Sequence, residues 1–451
     1  MVSAAERRRR RKRKTTASDL PDDVVVEIVS RLPPRSIITG WRAVSKSWRR
    51  VTASPAFYNT ITPRARPLPV AAKVTVQNTT VVCLELFGSH PINAAADNDD
   101  DAPPPYPRAL WLGGAVPRNN IGHVSTLVLG SWDGVLCLDM STYPSWKTGW
   151  KSVYVLWNPL TNACATVAAP PVVGAGGGGG NFVGAYAHPE TGRFHLLHAT
   201  GRIVGELLMS PAAFLVHTVG GNNDAAWRVA PARPPDEIVM PIHNAARPVA
   251  LHGKLHWVVQ SGGRRDIKLL AFDTVREDFR LMEAPEQMGT SKIETTRVAV
   301  PPSPAGKLCT IAMVAGDANS ALEMEVWVLD DYGDDRRSWR LMARTQVPWG
   351  WYFSMDAQVG VARHGADGEE DVVFVHTNGR VDEYSLRRGS WQANKVGRWF
   401  VDFAHENREL VLRHEHSMLP LPLEVSFGAA SRVLPRSRSR YEWGKPCYCL
   451  V

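Results

Sequence analysis

LPDDVVVEIVSRLPPRSIITGWRAVSKSWRRVTASPAFY, residues 20–58, packs three short helical signals into one small unit. Pro21 suits the first position of a helix, where a missing N–H costs nothing. Asp22 and Asp23 follow in the first turn, at the positive end of the helix dipole. Val25, Ile28, Val29 and Leu32 recur at helical spacing, and Pro33-Pro34 ends the run. Ser36 is placed to cap a second short turn through Ile37 and Ile38. A third helix is expected from about Arg42 to Arg50, with Val44 and Trp48 four residues apart on one face. So small a unit cannot bury this many apolar residues by itself. Apolar surface left over on it points to a partner.

These positions carry a family pattern. Leu20-Pro21-Asp22-Asp23, Ile28, Arg31-Leu32-Pro33, Arg42, Val44 and Lys46-Ser47-Trp48-Arg49 stand where an F-box has its signature, and Ser54-Pro55-Ala56-Phe57 matches the usual exit. The stretch resembles that family. Ser45 and Gly40-Trp41 depart from the pattern without removing its main apolar positions. The resemblance implies docking on a Skp-family adaptor of a cullin–RING ubiquitin ligase. Leu20, Pro21, Ile28, Leu32, Pro33, Ile38, Val44 and Trp48 would supply that contact or the small core behind it. A plain helical hairpin capping the next domain is the alternative.

Working outward, the charge is uneven. Lys and Arg total 52 against 44 Asp and Glu, and residues 7–14, RRRRRKRK, hold eight of the basic ones. Removing those eight leaves 44 basic against 44 acidic residues, so the basic balance belongs to an N-terminal arm. Arg7, Arg8, Arg9, Arg10, Arg11, Lys12, Arg13 and Lys14 repel one another and fit a nuclear import signal. Incidental attraction to nucleic acid or a neutral solvated terminus are the other readings. The arm is followed by TTASDLPDD and not by an apolar signal segment. No run of about 18 apolar residues suggests a membrane span. Six cysteines are scattered without disulfide or zinc spacing, which suits a reducing compartment, nucleus or cytoplasm.

From about residue 70 the pattern turns to short alternating strands. Residues 127–138 form a hairpin signal around Asp133-Gly134, and residues 249–259 form another around His252-Gly253. A strand, an Asn or Asp turn and a second strand recur at 153–167, 269–282 and 326–342. From Asp273 to Asp330 is 57 positions, and a further copy begins 44 later at Phe374, a spacing that suits about four strands per unit. GSWDGVLCL, LWNPLTN, YAHPETGRFHLL, VALHGKLHWVV, LLAFDTVREDFRLM and MEVWVLDD, in that order, resemble the landmarks of plant F-box-associated domains, which are β-propeller-like. The expected fold is multidomain α+β, a three-helix F-box followed by a mainly antiparallel, propeller-like all-β domain. A pair of β-sandwiches is the alternative. The limits are a disordered basic arm over 1–17, the F-box over 18–60 and the β domain over 70–430. Within it, the acidic and proline-rich residues 93–107 make a mobile insertion; a basic low-complexity tail covers 431–451.

No catalytic constellation emerges. Nucleophile elbow, metalloprotease helix and paired CxxC are all missing. The glycine run 174–180 lacks the Lys-Ser/Thr of a phosphate loop. His195 and His198 sit three apart on an expected strand and so face opposite sides. His414 and His416 could share a face, and two surface histidines are the ordinary explanation. Neither a cofactor nor a metal is expected. Tryptophan is the anomaly, with 16 against 10 Tyr and 12 Phe. Trp157, Trp257 and Trp327 fit repeated packing inside strands. Trp146 and Trp150 in YPSWKTGW, and Trp349, Trp351, Tyr352 and Phe353 in PWGWYF, have loop contexts that suit target binding. The chain is therefore expected to be a non-catalytic substrate receptor of an SCF-type ubiquitin ligase, without membrane or nucleic-acid partner. The alternatives are a nuclear regulator contacting nucleic acid through its arm, and a carbohydrate-binding propeller.

Overall fold

A computed structural model describes residues 20–30, 48, 50 and 51, and between 69 and 415 the strands with most of their turns. The basic arm, the insertion 93–107 and the tail 431–451 lie outside the described residues, as do the second helix and most of the third. Helix α1 spans Asp22–Ser30. The Pro21 carbonyl accepts the Val25 N–H at 3.1 Å, so Pro21 stands at the cap, one residue ahead of the expected position. Asp22 and Asp23 occupy the first turn as expected.

Trp48, Arg50 and Val51 are also helical, and from residue 69 the described elements are antiparallel strands and their turns. Among the described residues, twenty-five strands form five sheets instead of the two pairs of a double sandwich. The first unites the two ends of the β domain. β1 (Pro69–Gln77), β2 (Thr80–Glu85) and β3 (Arg108–Trp111) are joined by β25 (Arg408–Glu415), which pairs with β1. The second contains β4 (Val124–Trp132), β5 (Val135–Thr142), β6 (Lys151–Asn158) and β7 (Ala163–Ala168). The third, nine-stranded, holds two blade-sized units. One is β8 (Gly180–Ala187), β9 (Phe194–Val204), β10 (Leu207–Thr218) and β11 (Arg228–Val229). The other is β13 (Val249–Leu251), β14 (Lys254–Ser261), β15 (Asp266–Asp273) and β16 (Phe279–Glu283), and β12 (Ile238–Pro241) bridges the two. β17 (Ile293–Ala299) to β20 (Trp339–Gln346) follow, with β18 at Cys309–Val314 and β19 at Glu323–Leu329. The last sheet holds β21 (Gln358–His364), β22 (Glu370–Thr377), β23 (Arg380–Ser385) and β24 (Ser390–Asn394). β4 abuts β8, β17 lies beside β14 and β21, and β1 and β25 lie between β21 and β4. This is a mainly antiparallel, propeller-like domain.

The hairpins follow local chemistry. Asp133-Gly134 and His252-Gly253 join β4 to β5 and β13 to β14, with φ of 47° and 77°, and 51° and 69°. Two consecutive positive φ values make the tight turn whose twist matches the flanking strands, and glycine takes the second position without strain. Asp273 caps the β15–β16 turn, its Oδ1 accepting from Val275 N–H at 3.0 Å and Arg276 N–H at 2.9 Å.

Tryptophan joins one unit to the next. Trp227 donates its indole N–H to the Ala168 carbonyl at 2.9 Å, Trp339 to the Glu283 carbonyl at 3.0 Å, and Trp391 to Thr345 Oγ1 at 3.2 Å. Each of these rings belongs to the fourth strand of its unit or its approach, and reaches the fourth strand of the unit before. Trp257, fully buried, donates to the Val183 carbonyl at 2.8 Å. Gly184 lies under it: a Cβ there would come within 2.6 Å of Pro248 and 3.6 Å of the Trp257 ring. Packing of this kind accounts for Trp157 and Trp257, both fully buried, and for Trp327.

Candidate functional site

The apolar residues of α1 divide into two stripes. Val25 and Val29 are fully buried and belong to one apolar cluster with Trp48, Val51 and the core of the β domain. One step round the helix, Leu20, Val24 and Ile28 recur every four residues. Leu20 and Ile28 are half-buried, and Val24 is 38% exposed. Leu20 and Ile28 pack against the edge of the same cluster, and Val24 between them is the exposed apolar side chain of the stripe. Arg50 donates to both oxygens of Asp22, at 3.1 and 2.8 Å, and fixes the start of α1 to the segment at 48–51. That pair is exposed, so it orients more than it stabilises.

Of the residues implied in adaptor binding, Pro21 is exposed beside the stripe, and Leu20 and Ile28 lie in it. Trp48 is only 2% exposed and forms the core behind it. Leu32, Pro33, Ile38 and Val44 lie outside the described residues. Val24 was not expected. Its signal was present in the sequence as the four-residue spacing from Leu20 to Ile28, obscured by the Val24-Val25-Val26 run.

The β domain has two distinct ends. Turns between first and second strands, and between third and fourth, gather at one. Asp133 Oδ2 accepts from Ala187 N–H at 2.6 Å there, and Arg228 on β11 pairs with Glu277 in the β15–β16 turn. Glu277 is 7% exposed, and the bond to it raises the pKa of Arg228 against the opposing effect of burial. At the same end Lys254 pairs with Asp273, and Lys307 and Arg340 both bind Asp330, at 2.6 and 2.8 Å. These side chains are committed to one another. The connections from β5 to β6 and from β20 to β21 start from strand ends at the opposite end. Those connections contain Trp146, Trp150, Trp349, Trp351, Tyr352 and Phe353, which lie outside the described residues.

The histidines are interior groups. His195 stacks on Tyr186 with ring centroids 5.1 Å apart, while His198 faces Tyr154 and Trp227 at 6.4 and 5.7 Å, so the two do face opposite ways. Burial pushes His195 down to about 3, helped by the positive charges of its neighbours, and His198 down to about 4. His256 spans two units. Val249 can only accept, so Nδ1 carries the proton toward its carbonyl at 3.2 Å, and Nε2 accepts from the Tyr332 hydroxyl at 2.6 Å. Burial holds it neutral, down to about 4. His414 lies on β25 and His416 outside the described residues. Among the described residues no group of three His, Cys, Asp or Glu is placed to hold a metal, and no helix is long and apolar enough to cross a membrane.

The F-box-like family matches residues 17–64, and the F-box associated beta propeller domain family matches residues 219–390. No curated protein matches the chain in sequence. Among solved structures, the GH93 alpha-L-arabinofuranosidase of Fusarium graminearum with arabinobiose is similar over 61% of this chain and 82% of its own, at 14% identity and a TM-score of 0.38. The beta-propeller domain of the trilobed protease from Pyrococcus furiosus is similar over 61% of this chain and 86% of its own, at 11% identity and a TM-score of 0.29. A family 117 glycoside hydrolase from Zobellia galactanivorans covers 67% of this chain and 88% of its own, at 11% identity and a TM-score of 0.30.

Proposed function

We propose that this chain, an F-box-like domain followed by an F-box associated beta propeller domain, is the target-recognition subunit of an SCF-type cullin–RING ubiquitin ligase. The observation that carries the reading is the stripe of Leu20, Val24 and Ile28, packed on the core at its two ends and exposed at Val24, beside the buried Val25 and Val29. A Skp-family adaptor is the partner such a stripe fits on an F-box. The β domain holds a target protein, and rate comes from proximity: tethering raises the effective concentration of target lysines near the conjugating enzyme. The domain architecture is consistent with a non-catalytic subunit. Pairing of β1 with β25, and the neighbouring of β4 with β8, β14 with β17, β17 with β21 and β1 with both β21 and β4, support a closed ring of six blades over residues 70–430, with the F-box over 18–60.

The stripe is tested in the full chain co-expressed with its adaptor. Val24→Glu is expected to weaken co-purification at least tenfold, ~1.4 kcal/mol or more, with thermal unfolding unchanged because Val24 is exposed. Undiminished adaptor binding in that variant removes α1 from the contact. Residues 7–14 are proposed to direct the chain to the nucleus, with the cytoplasm as its other residence. Replacing all eight with Ser is expected to abolish nuclear accumulation of the tagged chain, and an unaltered distribution refutes an import role.

A further inference from the structure

The nine-stranded sheet changes partners where β12 joins its two units. β10 breaks register with β9 between Met209 and Ala213, and Ser210 there has a φ of 42°. Before the break β10 pairs with β12; after it, with β11. β14 does the same from the other side, pairing first with β13 and then with β12.

Alternation along these strands sorts the side chains onto two faces. Leu208, Ile238 and Met240 are fully buried in the main core, and Ile203 packs against it. The opposite face presents two cross-strand rows, Val204 with Leu207 and Pro241, and Arg202 with Met209, Val239 and, on β14, Gln260. Leu207, Met209, Val239 and Pro241 are half-buried, Arg202 is exposed, and Val204 is 49% exposed. An antiparallel sheet with one solvated face normally alternates apolar inside with polar outside. Here five of the seven outward residues are apolar, and Gln260 is neutral. The one charged member, Arg202, has no ion pair or hydrogen bond among the described residues.

We propose that this face docks an extended segment of the target protein, with apolar residues flanking one carboxylate. The sheet face supplies apolar area, and Arg202 selects the acid through a charge-assisted, two-pronged hydrogen bond. A second copy of the chain fits poorly, because the two rows contain no carboxylate to meet Arg202 across a two-fold axis. The proposal rests on the chain being a recruiting subunit and names the chemistry that it recruits.

A positional-scanning library of decapeptides, apolar at alternate positions, tests it on the full chain bound to its adaptor. Asp or Glu between the apolar positions is expected to bind at least tenfold more tightly than Asn or Gln. Arg202→Glu is expected to shift the preference to Lys, and Val239→Lys to abolish binding. Three results each overturn the proposal: a library without acidic preference, an Arg202→Glu variant that keeps it, or self-association that Val239→Lys removes. Adaptor co-purification is measured on the same variants. Lost peptide binding with adaptor retained concerns this face alone, and failure of the Val24→Glu test with peptide selection intact concerns only the F-box.

Discussion

Lowering the pH from 7 to 5 is expected to cost this fold on the order of 5 kcal/mol, because three buried histidines must then take up protons that they resist. His195, held to about 3, and His198 and His256, held to about 4, are neutral in the folded chain. Unfolded, each titrates near 6.5. Their folded values are depressed, so the unfolded chain binds more protons throughout the interval between. Stability is full above the unfolded value and falls as the pH drops toward the folded one. Each unit of pH below 6.5 costs up to about 1.4 kcal/mol per histidine. Asp273 and Asp330 do not offset this loss or add to it above pH 5. Their carboxyls are held below the ordinary range, Asp330 by Arg340 and Lys307, and Asp273 by turn N–H groups and Lys254 against its own burial. Urea unfolding at pH 7, 6 and 5 measures the slope. His198→Phe is the sharper check. Its ring neighbours are Tyr154 and Trp227, and His198 Nδ1 has no hydrogen-bond partner to lose. Phenylalanine should therefore fit and remove about a third of the slope. A midpoint independent of pH, or an unaltered slope in that variant, contradicts the account.

Trp257→Ala is expected to destabilise the chain by about 3–5 kcal/mol, the usual cost of emptying a large buried aromatic site. The ring packs near Phe214, 6.2 Å between centroids, and over Gly184, and no small rearrangement refills that space. Trp257→Phe separates volume from hydrogen bonding. It keeps much of the ring but orphans the Val183 carbonyl, at a cost of about 1–3 kcal/mol. Denaturant midpoints of the two variants give the split. A loss under about 1 kcal/mol for Trp257→Ala would mean that neighbouring strands close over the gap. Trp227, Trp339 and Trp391 are less buried and should respond more weakly, although each ties one unit to the next.

The hairpins were legible because turn chemistry is local: Asp133-Gly134 and His252-Gly253 specify their own geometry. The inner or outer facing of α1 residues was half legible. Period alone cannot say which of the adjacent valines 24 and 25 has a core behind it until Trp48 is placed. One repeat signal was available and went unused. An aromatic residue followed by Arg or Gln recurs at Trp227-Arg228, Phe279-Arg280, Trp339-Arg340 and Trp391-Gln392, spaced 52, 60 and 52 apart. Each pair lies at or beside the start of a fourth strand, where the ring must reach back to the preceding unit. The sharing of β12 was beyond the sequence. Ile238-Val239-Met240-Pro241 reads as a short strand, but its partners depend on a break in β10 nearly thirty positions away. The face it completes was correspondingly invisible.

The pairing of β1 with β25 sets a timetable. Val76 lies opposite Arg408 and Pro69 opposite Glu415, so the first strand of the β domain waits for the last to be synthesised. At ~5–20 residues per second, that wait is on the order of half a minute on the ribosome. Throughout it the F-box has already emerged, while one edge of β1 lacks its neighbour. An adaptor or chaperone that arrives early meets the chain in this half-finished state, and any message cut short ahead of codon 408 keeps it there.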